Sequence, residues 1–452
     1  MEKKIRVAMI LAVILIFTII GVITGSAVRS AKIKPEKKDT GHVLSVITTF
    51  AGNDGNSQTY ADAVAAWEKE TGNTVRDMSS QSDETFKTRV INDFQTGSEP
   101  DVLFFFTGAD ADSFIDAEKV VSLDEIREVY PDFAENIDEK KVPTSMVDDN
   151  IYAIPVNGYW EALYVNKSVL EEVGLEVPGE DYSWKNFISD CAKIKRAGYT
   201  PIAVSIGSIP HYWWEYCIFN HTGVEKHMTI PESTSDEIGK DWVDGIRNIK
   251  ALYDLGYFPS NTTSATDDDT FMMFMRGEAA FLLDGSWKLG TIVTECQANP
   301  NDPGSLDEEK LAEFTVTFVP GTEARSATDM IGGTSMGYYI TRKAWEDPKA
   351  RDVAVSFVSY MTSDEIIQGF AQYTSDVLKK KHLENMSNYN SLEQDAIKML
   401  RKSTSLTPAV QDTFKGACRK STFDGMTDIV KGRRMVTAAV EEGLKVYREE
   451  LK

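Results

Sequence analysis

Three short strand-like segments, separated by helical patterns, constrain the fold of this chain more than any other feature. The segments lie at residues 43–49, 74–78 and 102–106, and the last is apolar throughout. Large apolar side chains recur at helical spacing in the two intervening segments, 60–67 and 86–94. Each strand-like segment is too short for a stable helix, and the apolar run at 102–106 suits a strand buried on both faces. Strand–helix–strand–helix–strand at this spacing predicts a parallel, doubly wound α/β sheet.

A second set of strand and helix patterns follows an extended segment at residues 152–165. Asn157-Gly158 breaks that segment, which we interpret as a crossing between two lobes. Further buried runs lie at 201–206, 279–283, 314–319 and 336–341. The predicted division is a signal peptide or membrane anchor at 1–28, a linker at 29–41, lobe 1 at 42–155 and 313–365, and lobe 2 at 156–312 and 366–452.

The N-terminus has the pattern of an export signal. Lys3, Lys4 and Arg6 precede an apolar run at 7–23, and small residues follow near 25–27. The run also approaches the minimum length of a membrane span, so a cleaved signal and a retained anchor both stay open. In either case the preceding basic residues place the body of the protein outside the cytoplasm.

The remainder of the chain is strongly acidic. The net charge is −22, and the first 38 residues hold eight Lys/Arg and two Asp/Glu. This leaves 40 basic against 68 acidic residues, a net charge of −28 for the body. A surface of this charge repels phosphate backbones, so nucleic acid is excluded as a partner.

Catalytic and metal-binding motifs find little support in the sequence. The five histidines show no HxxxH or HExxH spacing, and neither a GxSxG motif nor a P-loop is present. We therefore expect no metal, no cofactor and no nucleotide. Four cysteines are scattered along the chain, and either a disulfide between Cys191 and Cys217 or four free thiols fits their positions.

The apolar run at 279–283 ends in the polar and aromatic sequence Asp284-Gly285-Ser286-Trp287. Ligands in open α/β sheets bind outside the carboxyl ends of the strands, so this is the expected position of a crevice. Four tryptophans lie at such predicted strand ends: Trp160, Trp213, Trp214 and Trp287. An indole face stacks well on the C–H face of a sugar ring. The alternative is that these rings pack between the lobes.

Polar side chains accompany these tryptophans and suit hydrogen bonds to sugar hydroxyls. They are Asn53, Asp54, Asn56, Asp110, Asn157, Glu161, Glu215 and Asp284. Asn53 and Asp54 could equally stabilise their own turn. A pair of carboxylates could also serve a glycosidase, although nothing local indicates such a pair. Gly332-Gly333 is either a loop that approaches a ligand or a tight turn.

Four motifs in order resemble the extracellular solute-binding proteins of family 1, the sugar-binding subunits of ABC importers that include maltose-binding protein. The motifs are VITTFAGNDGNSQTYADAVAAWEKETGNTV, DFQTGSEPDVLFF, YAIPVNGYWEALYVNKSVLEEVGLEVP and FMRGEAAFLLDGSW. The resemblance implies a type II periplasmic-binding-protein-like clamshell, α/β in class, with sugar held between two lobes and delivered to a membrane permease. It implies no catalysis, and we expect a monomer. The competing functions are an exported glycan-active hydrolase or lyase and a ligand-presenting sensor partner.

Residue patterns and resemblance together predict one set of ligand-binding residues. The set is Asn53, Asp54, Asn56, Phe106, Asp110, Trp160, Glu161, Tyr212, Trp213, Trp214, Asp284, Trp287, Gly332 and Gly333.

Overall fold

Two β-sheets organise the chain into two α/β lobes. The computed structural model describes residues 41–52, 54–82, 84–299, 302–380 and 389–451. The strands are β1 (Val43–Ile47), β2 (Thr74–Asp77), β3 (Val102–Phe106), β4 (Tyr159–Asn166), β5 (Thr200–Ala203), β6 (Ala279–Gly285), β7 (Phe314–Thr317), β8 (Asp329–Gly333), β9 (Met336–Ile340) and β10 (Ser405–Thr407).

The helices pack on the faces of these sheets. In chain order they are α1 (Ser57–Thr71), α2 (Glu84–Thr96), α3 (Asp112–Asp116), α4 (Leu123–Val129), α5 (Lys167–Val173), α6 (Trp184–Arg196), α7 (His211–Lys226), α8 (Glu237–Asp254), α9 (Asp267–Met275), α10 (Lys288–Glu295), α11 (Glu308–Leu311), α12 (Arg342–Glu346), α13 (Pro348–Met361), α14 (Asp364–Phe370), α15 (Ser391–Lys402), α16 (Gly416–Phe423), α17 (Met426–Val430) and α18 (Val436–Glu450).

The first lobe is built on a four-stranded sheet with the order β2-β1-β3-β9. β1 pairs in parallel with β2 and β3, as the alternating pattern predicts, while β9 returns antiparallel to β3. The apolar face of α1 covers this sheet, and the buried Trp67 contacts Phe357 of α13 edge-on at 5.1 Å between ring centroids. The central strand β3 reads as a continuous apolar run because helices cover both faces of the sheet there, whereas the edge strand β2 is mostly exposed.

The second lobe is built around β4, which pairs antiparallel with β6 on one edge and with β7 and β8 on the other. β5 and β10 extend the sheet to either side. Two expectations need correction. β7 and β8 fall inside the range 313–365 assigned to lobe 1, yet they pair in the second sheet. Conversely, Phe370 and Val377, assigned to lobe 2, pack in the core of the first lobe. The exact division of the chain otherwise stays a prediction.

Two chain segments, 156–159 and 333–336, cross between the lobes beside Gly158, and the backbone of Ser375 packs against them. The backbone N–H of Gly158 donates to the carbonyl of Ser375, 2.7 Å away. A Cβ at Gly158 would lie 2.6 Å from the carbonyl oxygen of Gly333, so only glycine leaves room for the three backbones. The predicted break at Asn157-Gly158 is therefore the point where the chain enters the hinge.

Two predictions from composition have different outcomes. The four cysteines are buried free thiols, so the structure favours the alternative without a disulfide. The proposed signal or anchor and nearly all of the linker lie outside the described residues. From residue 41 onward, the helices that the structure describes include none long and apolar enough to cross a bilayer.

Candidate functional site

The cleft between the lobes begins where β6 meets α10. β6 is buried along its whole length and extends through Asp284 and Gly285, two residues further than predicted. Trp287 occupies the N-cap position of α10. Its ring lies directly over Gly285, where a Cβ would come within 2.1 Å of the indole. Gly285 thus allows the indole to fold back over the end of the strand.

Three aromatic side chains of the second lobe form what we call the aromatic platform: Tyr159, Tyr212 and Trp287. The Trp287 ring centroid lies 6.5 Å from that of Tyr159 and 6.0 Å from that of Tyr212. All three rings are half-buried rather than enclosed in the core. They come from the start of β4, the first turn of α7 and the N-cap of α10, so three separate elements converge on one surface.

The loop after β1 faces the platform from the first lobe. A Cβ at Gly290, in the first turn of α10, would lie 2.4 Å from the Cα of Gly55, so the two backbones are in contact. Beside this contact, the Asp54 carboxylate accepts a hydrogen bond from the backbone N–H of Asn56, 2.8 Å away. Burial raises the pKa of Asp54 to about 6. The turn-stabilising role that the sequence left open for Asp54 is therefore present; Asn53 lies outside the described residues.

The segment after β3 meets the second lobe on the other flank of the cleft. The Asp110 carboxylate lies 3.2 Å from both Arg419 Nη2 of α16 and Lys87 Nζ of α2. Nearby, Asp112 lies 3.8 Å from Lys415 Nζ. Because Arg419 and Lys415 belong to the second lobe, these ion pairs join the lobes. The lobes thus touch on both flanks, as expected for a closed arrangement.

Phe106 closes β3 at the same flank. Its half-buried ring has Lys87 Nζ 4.2 Å from its centroid, a cation–π contact. Phe106 and Asp110 therefore share Lys87 as a neighbour and lie together at the edge of the cleft, where the sequence predicts them.

Two buried carboxylates lie at the second-lobe end of the cleft. Asp284 accepts a hydrogen bond from the N–H of Gly285 at 2.7 Å, and its other oxygen lies 3.5 Å from Lys288 Nζ. Burial raises the pKa of Asp284 to about 7, against the opposing charge of Lys288. Glu161 is 2% exposed, and burial raises its pKa well above the ordinary range. Both positions were predicted.

A third carboxylate at the cleft, the half-buried Asp412, was not predicted. It lies on the turn Val410–Thr413, which Glu215 holds in place by accepting hydrogen bonds from the N–H groups of Val410 and Gln411, 2.5 and 3.4 Å away. Glu215 also lies 2.6 Å from His227 Nε2. Burial raises the pKa of Asp412 to about 6. No local sequence signal marks this turn, because its position depends on a buried side chain about 200 residues away.

Three of the predicted tryptophans lie in the core rather than on the cleft. Residues 210–215 form the start of a helix, α7, and not the end of a strand. Helical spacing turns Trp213 toward Phe187 and Trp214 toward Trp242, and each is 1% exposed. Trp160 is fully buried and donates from Nε1 to the carbonyl of Tyr373 at 2.8 Å. Packing explains all three rings.

The segment around Gly332-Gly333 is a strand, β8, and neither the loop nor the tight turn that the sequence suggested. Gly332 pairs with Trp160 and Gly333 with Tyr159. A Cβ at Gly332 would lie 2.6 Å from the Tyr159 carbonyl oxygen, so the close approach of β4 requires glycine there. The glycines thus support the strand that carries Tyr159.

The described residues contain no group of three or more His, Cys, Asp or Glu side chains arranged to hold a metal ion. The chemistry of the cleft rests on aromatic faces, carboxylates and amides.

Comparison with known proteins places this arrangement in a family. A curated relative, the multiple sugar-binding protein of Streptococcus mutans serotype c, is 24% identical over 234 residues, which span 50% of this chain and 50% of that protein. This chain therefore matches about half the length of that relative.

Solved structures show the fold. A chitin oligosaccharide binding protein is similar with a TM-score of 0.75 at 19% identity, over 90% of this chain and 98% of that one. The GacH receptor of Streptomyces glaucescens GLA.O has a TM-score of 0.65 at 20% identity, over 90% and 98%. The predicted type II clamshell of two α/β lobes is confirmed. The family model described as bacterial extracellular solute-binding protein matches residues 52–368. Its members are binding proteins rather than enzymes. This chain belongs to the family of bacterial extracellular solute-binding proteins.

Proposed function

We propose that this protein binds a carbohydrate in the cleft between its lobes and delivers it to the permease of an ABC importer. The observation that carries the proposal is the aromatic platform, with half-buried rings from three elements gathered opposite the loop after β1. Half-buried aromatic faces beside carboxylates match the two-sided chemistry of a sugar, which has an apolar C–H face and an edge of hydroxyl groups.

The proposal assigns a role to each part of the cleft. The platform rings stack on the sugar, while Glu161 and Asp284 take hydrogen bonds from its hydroxyl groups. Asn56 of the loop after β1 completes the cleft from the first lobe. From the predicted set, Asp54, Phe106 and Asp110 stay candidates at the rim of the cleft, and Asn53, outside the described residues, stays a prediction.

The names of similar proteins support a sugar as the ligand. They include a multiple sugar-binding protein and a chitin oligosaccharide binding protein. At identities below 25% these relatives indicate the class of ligand and not the particular sugar.

Binding would be coupled to closure of the lobes. A ligand that contacts both lobes favours the closed arrangement in proportion to its additional contacts there. The two crossing segments beside Gly158 would serve as the hinge. The closed form would then present a defined surface to the permease. We propose that the monomer works outside the cytoplasm, exported by its N-terminal segment or held at the membrane by it.

A thermal-shift screen over monosaccharides and oligosaccharides, followed by calorimetry, tests the proposal. A sugar at 100 times its dissociation constant adds about 2.7 kcal/mol to the free energy of unfolding and raises the melting temperature. We expect a saturable shift with at least one sugar. If no sugar shifts the melting temperature while a peptide or an organic phosphate does, the carbohydrate proposal fails.

A further inference from the structure

The carboxylates of the cleft lie close around the aromatic platform. Burial, reinforced by the charges of Asp412 and Glu161, raises the pKa of the Tyr159 hydroxyl far above its ordinary range. Burial together with Asp284 and Glu161 does the same to the pKa of Tyr212. Three carboxyl groups, from β4, β6 and the turn Val410–Thr413, therefore lie near enough to two platform rings to raise the pKa of their hydroxyls.

Glu161 lies where the carboxyl groups of this cluster converge. The charged groups that act on it are themselves acidic: Glu215, Asp412 and Asp284. Its side chain is 2% exposed, and within the part of the chain that the structure describes its buried Oε2 has no hydrogen-bond partner. A buried polar atom of this kind costs free energy unless a ligand or water supplies a donor.

A second buried oxygen repeats the pattern on the neighbouring strand. Asp284 is 1% exposed, and among the described residues its Oδ2 lacks a hydrogen bond, with Lys288 Nζ at 3.5 Å beyond good donor distance. Lys288 instead donates to Asp267 at 2.9 Å. Both oxygens can accept a hydrogen bond from a hydroxyl or an ammonium group, and neither offers a ligand carboxylate an opposite charge.

The cations at the opposite flank already have acidic partners. Lys87 and Arg419 both contact Asp110 at 3.2 Å. The charges of both also oppose the rise in the pKa of Asp412. An acidic group on a ligand would have to compete with these carboxylates for the two cations. Lys415 lies 3.8 Å from Asp112, and Lys288 lies between Asp284 and Asp267.

We propose that the cleft selects sugars that carry no acidic group and rejects uronic acids and other anionic sugars. This inference rests on the proposed carbohydrate function and narrows its ligand class. A ligand carboxylate placed on the platform would lose its hydration beside three acidic side chains. The nearby cations already contact Asp110 and Asp267, and an uncompensated charge out of water is costly. Hydroxyl or amino groups at the same place would satisfy the unpartnered oxygens.

Matched pairs of sugars test the inference by calorimetry on the full chain. The probes are glucose, galactose, cellobiose, xylobiose and maltotriose, each beside a counterpart in which one unit is a uronic acid. Where a neutral member binds, we expect its acidic counterpart to bind about tenfold more weakly or worse, a difference of about 1.4 kcal/mol. In wild-type protein, an acidic member that binds as tightly as its neutral counterpart overturns the inference and leaves the carbohydrate function intact. If no member of any pair binds, the proposed function falls and the inference with it.

Variants then locate the origin of the discrimination. Asp284→Asn and Asp412→Asn each remove one carboxylate. Each should narrow the difference in affinity between a neutral sugar and its acidic counterpart. Asp244→Asn is the matched control, because Asp244 is an exposed carboxylate of α8 that pairs with Arg247. If Asp244→Asn narrows this difference in affinity as much as the cleft variants do, the preference for neutral sugars comes from the overall charge of the protein. The inference is then wrong.

Discussion

Replacing Trp287 with alanine separates ligand binding from packing at the centre of the cleft. The indole contacts two platform rings, Tyr159 at 6.5 Å and Tyr212 at 6.0 Å between centroids. Each aromatic pair contributes about 0.5–1.5 kcal/mol, so Trp287→Ala should lower the free energy of unfolding by about 1–3 kcal/mol. Because the Trp287 ring is only half-buried, we expect a loss of stability toward the lower end of that range.

The loss of affinity should be larger than this packing effect suggests. A buried aromatic anchor of an interface contributes about 2 kcal/mol or more, and we expect about 2–3 kcal/mol for Trp287. That corresponds to a dissociation constant about 30- to 150-fold higher. Calorimetry with the sugar found by screening measures it, and urea unfolding measures the stability in parallel.

Trp184→Ala provides the matched control. Trp184 is also half-buried in the second lobe and also contacts two rings, Phe187 at 5.5 Å and Trp213 at 6.5 Å. Its replacement should cost comparable stability and leave the affinity for sugar unchanged. Equal losses of affinity in the two variants would mean that Trp287 acts through folding alone, and the stacking role would be refuted.

Three further predictions concern closure, pH and packing. Arg419→Ala removes an ion pair to Asp110 that joins the lobes, so small-angle X-ray scattering should show a more open ligand-free protein; an unchanged scattering profile would contradict this. The pKa of Asp284 is raised to about 7 by burial, so its contribution to stability is full below about pH 4 and is lost as the pH rises toward 7. Urea unfolding of Asp284→Asn should therefore show a smaller decline in stability between pH 4 and 7 than the wild type, and an equal decline would refute the assignment. Trp213→Ala should cost about 3–5 kcal/mol of stability, as for a core aromatic residue, while the folded variant keeps its affinity for sugar; a selective loss of affinity would place Trp213 in the site after all.

The sheet of the first lobe could be predicted from sequence because its central strands appear as short apolar segments between helical patterns. β3 is covered on both faces and appears as an unbroken apolar run, and β1 departs from that pattern only at Ser45. The same reasoning located β6 and the cleft-forming end at Trp287. These features depend on local pattern and burial, which a single sequence displays.

The details of the site depend on geometry that the pattern does not display. Tyr159 and Trp160 are neighbours on β4, and successive residues of a strand face opposite sides. The sequence pattern favours the larger ring, Trp160, as a ligand contact, but Trp160 is the residue that faces the core. Trp213 and Trp214 were misplaced because an aromatic segment after a strand began a helix, and helical spacing turned both rings inward.

The contribution of the C-terminal segment to the cleft could not be predicted from sequence. Asp412 reaches the cleft because Glu215, buried in the second lobe, binds the backbone of its turn. Such a contact joins residues about 200 positions apart, and nothing in the sequence near either residue indicates it.

A crystal structure of the protein with a saturating neutral sugar tests the proposed binding mode most directly. We expect one sugar ring stacked on Trp287, Tyr159 or Tyr212, with hydroxyl groups in hydrogen-bond contact with Glu161 or Asp284. A sugar bound elsewhere on the molecule, with the platform rings still packed only against each other, would contradict the role of the cleft.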